Sequence, residues 1–254
     1  MCETCGCSIP DHKHPTPADH HTVEVLEGLM SANDHAAAHN REHFDRSGVL
    51  VINLMSSPGS GKTRLLEETA KALKGQARMA VIEGDLETEN DAERLRRHGI
   101  RAHQITTGSA CHLDAHQIHH ALHEFPLDQD GQSTDILFVE NVGNLVCPAA
   151  FDLGQHVNVV LLSTTEGEDK PAKYPVMFRA ADVVVISKAD LLPLLDDFSV
   201  DKAEKSLRGL GVETPILTTG AGKSVDISQW IDWLTDQLEQ HRNTVQKASV
   251  ARVG

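Results

Sequence analysis

Pro58-Gly-Ser-Gly-Lys-Thr63 gathers the means of holding a polyphosphate into one turn. Glycines let successive backbone N–H groups face phosphate oxygens, a lysine reaches the β- and γ-phosphates, and a hydroxyl ligates magnesium. Gly59, Ser60, Gly61, Lys62 and Thr63 are therefore candidate nucleotide contacts, with Thr63 also a magnesium ligand. The usual pattern G-x-x-x-x-G-K-[ST] has glycine where this chain has Ser56, but Gly59 and Gly61 still permit close backbone approach. Such a loop needs carboxylates to hold the cation and order water. Glu83-Gly-Asp85 and Phe138-Val-Glu140 each close an apolar run, so Asp85 and Glu140 join Lys62 as candidate catalytic groups, with Asp85 near magnesium.

Val183-Val-Val-Ile-Ser-Lys-Ala-Asp190 bears on which base is read. It resembles the N-K-x-D motif of GTPases, in which the aspartate accepts hydrogen bonds from guanine N1–H and its 2-amino group. Adenine lacks those donors. Lys188 would pack over the purine and Asp190 would select guanine; Ser187 stands where the motif has asparagine. Thr218-Thr-Gly-Ala221 is the expected loop at the base edge.

Soft and borderline donors form the second constellation. Cys2, Cys5 and Cys7 put three thiols within six residues, able to wrap zinc as a tetrahedron or nickel as a plane. Cys111-His112 and Cys147 lie far apart in sequence, but both follow strands whose C-terminal ends share one sheet edge. Taken alone, the latter cysteines read more simply as structural. His35, His39 and His43, and His112, His116 and His120 with His119 and His123 beside them, recur at helical spacing. A solvated polar helix face accounts for either stripe.

The elements that position these groups alternate regularly. Strands are expected to begin at Val49, Met79, Arg101, Ile136, Val157, Val183 and Ile216, with helices expected over 63–73, 89–97, 112–124 and 228–241. Strand–helix alternation predicts an α/β fold, a mostly parallel sheet covered by helices on both faces. The expected layout is a flexible Cys/His-rich tail (1–21), a lead-in helix (22–46), the nucleotide domain (47–243) and a C-terminal tail (244–254). With 23 Lys and Arg against 37 Asp and Glu, the net charge of −14 argues against nucleic acid or an anionic membrane as partner. No run approaches the ~20 apolar residues of a spanning helix and no signal-peptide layout is present, so a cytoplasmic protein is expected.

Five segments occur in one order: Cys2-Glu-Thr-Cys5-Gly-Cys7, Ser56 to Thr63, Cys111-His112-Leu-Asp114, Glu140-Asn-Val-Gly-Asn-Leu-Val-Cys-Pro148 and Lys170-Pro-Ala-Lys-Tyr-Pro175. Together they resemble the HypB family of hydrogenase nickel-incorporation GTPases. The resemblance implies a P-loop NTPase of the SIMIBI class, GTP hydrolysis to GDP with Mg2+, a GTP-dependent homodimer, and nickel delivery to the large subunit of a [NiFe] hydrogenase alongside a HypA-type zinc/nickel accessory protein. It also implies that Cys2, Cys5 and Cys7 form a nickel site, that Cys111, His112 and Cys147 form a second site for nickel or zinc, and that Asp85 is the switch aspartate. The rival readings are a urease-type nickel GTPase and a nickel or zinc storage protein.

Overall fold

The computed structural model describes residues 20–85, 90–108, 110–129, 131–220 and 226–251. Strands β1 (Leu50–Ser56), β2 (Met79–Asp85), β3 (Arg101–Thr106), β6 (Ile136–Glu140), β7 (Val157–Ser163), β8 (Val183–Ser187) and β9 (Ile216–Thr218) form one sheet in the order β3-β2-β6-β1-β7-β8-β9, with every pairing parallel. Two short strands, β4 (Asp128–Gln129) and β5 (Gln132–Ser133), pair as a hairpin that no periodicity announces. The helices are α1 (His20–Ser47), α2 (Lys62–Ala72), α3 (Asn90–Arg97), α4 (Ala115–Glu124), α5 (Lys170–Lys173), α6 (Pro175–Arg179), α7 (Val200–Gly209) and α8 (Ser228–Ala251).

Strand β1 is buried at all seven positions because β6 and β7 flank it and helices cover both faces. This explains its continuous rather than alternating apolar run. One core, with Leu54, Leu66, Phe138 and Trp230, lies beneath α2 and α8; another, with Phe44, Val51, Ile82 and Ile118, lies beneath α1 and α4. Trp230 is fully buried and its indole N–H donates to Thr69 Oγ1 at 2.8 Å, fixing α8 against α2.

Two helix ends differ from the sequence expectation. Helix α4 starts at Ala115 rather than His112 because Asp114 caps it: Gln117 N donates to Asp114 Oδ1 at 2.8 Å, while Asp114 N donates to Gln117 Oε1 at 3.0 Å. This reciprocal capping box leaves Cys111 and His112 in the preceding loop. At the other end α8 continues past His241 to Ala251, through residues assigned from sequence to a C-terminal tail, and Arg242 pairs with Asp135 at 2.6 Å on that extension. No helix among the described residues is long and apolar enough to cross a membrane.

Candidate functional site

The turn between β1 and α2 follows from its glycines. Gly59 and Gly61 have φ of 71° and 99°, a region costly for residues with a Cβ. The turn then enters α2 directly at Lys62, so free N–H groups and the helix N-terminus point the same way. Lys62 Nζ donates to Ser56 Oγ at 3.1 Å and Ser60 Oγ also bonds Ser56 Oγ, so the serine found at the glycine position of the usual motif is a polar anchor inside the loop.

A cavity of about 340 Å³ opens above this turn, lined by Gly59 to Arg64 and by Glu83, Asp85, Asp91, Arg94 and Glu140. Lys62, Asp85 and Glu140 thus share one cavity. Thr63 Oγ1 donates to Glu140 Oε1 at 2.9 Å, while Glu140 Oε2 and Glu83 Oε2 are buried without a hydrogen-bond partner. Burial pushes the Glu140 carboxyl up to about 7 against the pull of the Lys62 ammonium and the Thr63 hydroxyl. Glu83 rises further, to about 8, through burial and then the neighbouring Glu140, Asp91 and Asp85. Orphaned carboxylate oxygens beside a hydroxyl are hard donors in a crowded anionic site, and this set fits a divalent magnesium ion.

A second cavity of about 320 Å³ adjoins the first, sharing Ser60, Gly61, Arg64 and Arg94 and reaching Ser187, Lys188, Asp190, Leu191, Thr219 and Gly220. The two expected base-recognition residues therefore sit one step from the phosphate turn. Lys188 has φ of 57°, the sole described non-glycine residue with positive φ, and Lys188 O accepts from Thr164 Oγ1 at 2.9 Å. Ala221 of the expected base-edge loop lies outside the described residues.

The third cluster unites residues 36 apart in sequence. Cys111 Sγ lies 3.0 Å from Cys147 Sγ and 3.5 Å from His112 Nδ1. Both thiols are free. The His112 ring stacks on Phe151 at 4.0 Å between centroids, and burial lowers its pKa, keeping a ring nitrogen unprotonated for a ligand. The hydrogen bond with Cys147, followed by burial, raises the Cys111 thiol, so metal entry must release a proton. Cys2, Cys5 and Cys7 lie outside the described residues.

Four contacts tie the clusters to one another and to the sheet. Asn141 follows Glu140 directly, and its Oδ1 accepts from Leu113 N at 3.1 Å, beside His112. Asn141 Nδ2 donates to Asn53 Oδ1 in the middle of β1, tying the same amide to the sheet. Leu113 also packs on Gly84, where a Cβ would fall 2.7 Å from the leucine side chain. At Gly143, midway between Glu140 and Cys147, a Cβ would fall 2.8 Å from Pro58 Cα in the phosphate turn.

A family model described as "CobW/HypB/UreG, nucleotide-binding domain" matches residues 50–218. The Hydrogenase maturation factor HypB of Escherichia coli K12 is 48% identical over 223 residues, covering 88% of this chain and 75% of that protein. The chain belongs to the HypB family. The HypB of Rhizobium leguminosarum bv. viciae is 55% identical over 182 residues, 72% of this chain, and those span 60% of that longer relative. A crystal structure of HypB from Helicobacter pylori in complex with nickel superimposes with a TM-score of 0.72 at 41% identity, covering 87% of this chain and 96% of that one.

Against that background, this HypB-family chain has site residues that its motifs do not reveal. Arg94 forms a two-pronged pair with the buried Glu67, at 2.6 and 2.9 Å, and both Arg94 and Arg64 line the two cavities. Burial works against the Glu67 charge, but the Arg94 guanidinium overcomes it and holds the carboxyl below its ordinary value. Arg64 stands next to Thr63 and could have been suspected, whereas Arg94 lies 27 residues from its partner with no motif around it.

Proposed function

We propose that this chain is a GTP-hydrolysing nickel metallochaperone that serves maturation of a [NiFe] hydrogenase. The observation that carries the reading is the short segment from Glu140 to Cys147, which begins on the Thr63 hydroxyl and ends in a cysteine–histidine triad. Nickel in this reading is cargo, held by Cys111, His112 and Cys147, and Zn2+ is the competing occupant of the same donors. A cytoplasmic location fits, because free thiols persist in a reducing compartment.

Lys62 and the turn's backbone N–H groups would bind the β- and γ-phosphates, with Asp190 accepting from the guanine edge and Lys188 covering its plane. Thr63 and Asp85 would hold magnesium, which when bound neutralises charge on those phosphates. Glu140 orients the Thr63 hydroxyl. Arg64 and Arg94 add positive charge at the junction of the two cavities, where phosphate meets nucleoside. A shift of Glu140 or Asp85 on phosphate binding is transmitted through Asn141 and Leu113 to the loop carrying His112. Metal affinity then depends on the nucleotide, and by reciprocity bound metal alters nucleotide affinity. A GTP-dependent homodimer and a HypA-type accessory protein would complete the transfer to the hydrogenase large subunit.

The test is competitive Ni2+ and Zn2+ binding to protein loaded with GDP or a non-hydrolysable GTP analogue, with oligomer mass measured in each state. A change in metal affinity or preference between the two supports nucleotide-gated delivery; identical metal binding and mass in both states would leave a storage protein as the better account. Delivery to urease is a second reading, favoured by the related Helicobacter hepaticus protein, 46% identical and described as a hydrogenase/urease maturation factor.

A further inference from the structure

Both histidine stripes read from sequence as solvated faces, yet the structure turns them toward each other. Helix α1 is fastened alongside α4 by two buried asparagines. Asn33 Oδ1 accepts from Ala115 N at 3.0 Å, and Asn40 Nδ2 donates to Ala115 O at 2.8 Å and to Leu153 O at 3.2 Å. These bonds fix the rotation of α1. His39 meets His119 edge to face with ring centroids 5.0 Å apart, and His119 meets His123 in the same manner at 4.8 Å. His43 lies one turn beyond His39 on the same helix.

The geometry points to an auxiliary site for a borderline divalent metal ion, Ni2+ or Zn2+, in the α1–α4 seam, ligated by His119, His123 and His39 with His43 beside them. His119 Nε2 and His123 Nε2 are 3.3 Å apart. Two imidazole nitrogens at ~2.0–2.1 Å from one ion at a tetrahedral angle are separated by about 3.3 Å, so this pair already has the spacing of two ligands on a common metal. The i, i+4 relation supplies it without backbone movement. His39 faces His119 from the other helix, and its ligand nitrogen must swing in by side-chain rotation to join the pair, so an ion here would cross-link α1 to the helix that begins just after the Cys111–His112 loop. The site shares no residue with Cys111, His112 and Cys147 and does not depend on the nickel-delivery reading.

The close set of Asp45, His156 and His241 is excluded by its tautomer. Val51 N donates to His156 Nδ1 at 2.9 Å, so the ring proton resides on Nε2, facing Asp45 Oδ1 at 3.1 Å. A metal on that nitrogen would require an imidazolate.

The experiment measures Ni2+ stoichiometry by equilibrium dialysis on the full chain and three variants: Cys111→Ser/Cys147→Ser, His119→Gln/His123→Gln, and all four substitutions together. The thiol variant should keep an equivalent of Ni2+ that the four-substitution variant loses, and Ni2+ should raise its Tm but not that of the four-substitution variant. His39→Gln, one exposed substitution, should lower Ni2+ affinity at this site about tenfold or more in the Cys111→Ser/Cys147→Ser background, where Cys2, Cys5 and Cys7 are common to every variant compared, and it guards against misfolding of the multiple variant. Equal stoichiometry and equal Tm shifts with and without the histidines would overturn the site.

Discussion

The Ser187 hydroxyl, at the end of β8, donates to the carbonyl of Ser60 in the phosphate turn at 2.6 Å, across 127 residues of chain. Ser60 is bonded on its other side to Ser56, so the two serines that depart from the usual motifs grip the same residue. Both are buried, and the bond joins the base-reading loop to the phosphate-binding loop. A buried bond of this kind contributes about 1 kcal/mol, and its loss leaves the Ser60 carbonyl unpaired. Ser187→Ala should therefore weaken GDP and GTP together by about five- to tenfold, read from titration with a fluorescent guanine nucleotide. Equal affinity in the variant would mean that the two loops hold their places independently.

Asp190 is the residue on which base choice rests. Changing its carboxylate to an amide replaces an acceptor with a donor opposite the guanine 2-amino group, whereas xanthine presents a carbonyl there. Asp190→Asn should lose GTP affinity by about a hundredfold or more and gain binding of xanthosine triphosphate. If the variant retained GTP, another group would have to read the base.

The acidic wall of the phosphate cavity makes stability depend on pH. Glu83 is held at about 8, above its ordinary 4.5, so it stays protonated in the fold at pH values where the unfolded chain has released the proton. Its neutral form is harmless below about pH 4.5, and stability is lost progressively as pH rises from there to about 8, by at most about 5 kcal/mol. Glu140, raised to about 7, acts in the same direction. In thermal melts without nucleotide, Glu83→Gln should be more stable than the parent, with a gap that widens from pH 5 to pH 8. Adding magnesium and GTP should narrow it, since a cation among these carboxylates favours their charged forms. A gap independent of pH would place the Glu83 proton elsewhere.

Much of this was legible because burial on both faces leaves a plain trace. Val49 to Met55, broken only by Asn53, and Val183 to Ile186 are apolar, and the groups that follow them fall on one sheet edge. Motif residues were legible for the same reason, since a phosphate turn needs its glycines and lysine consecutively. What escaped depends on rotation and on single side chains. The Asp114 capping box moved the start of α4 by three residues. Asn33 and Asn40 set the face that α1 turns to α4, and so decided that His119, itself paired with His123, meets His39, while His116 and His120 were equally well spaced. Arg94 reaches the site through Glu67, a contact that no local pattern encodes.

Coupling between nucleotide and metal is most exposed to test at Asn141, which ties the Glu140 end of the segment to Leu113, and at Gly143, which lines the phosphate cavity. Asn141→Ala removes the acceptor for Leu113 N and Val142 N and the donor to Asn53, taking a partner from three buried groups while Glu140 and Cys147 keep their chemistry. Gly143→Ala drives a methyl group against Pro58, so either the phosphate turn or the Cys147 segment must move. Asn141→Ala should retain Ni2+ binding and GTP binding measured separately, each within about tenfold, but the difference in Ni2+ affinity between GDP- and GTP-analogue-bound protein should collapse toward unity. Gly143→Ala should also lower GTP affinity, because its clash reaches the phosphate turn itself. Should Asn141→Ala preserve the full nucleotide dependence, the signal would have to pass through Gly84 and the Leu113 side chain instead, and Leu113→Ala would then be the variant that removes it.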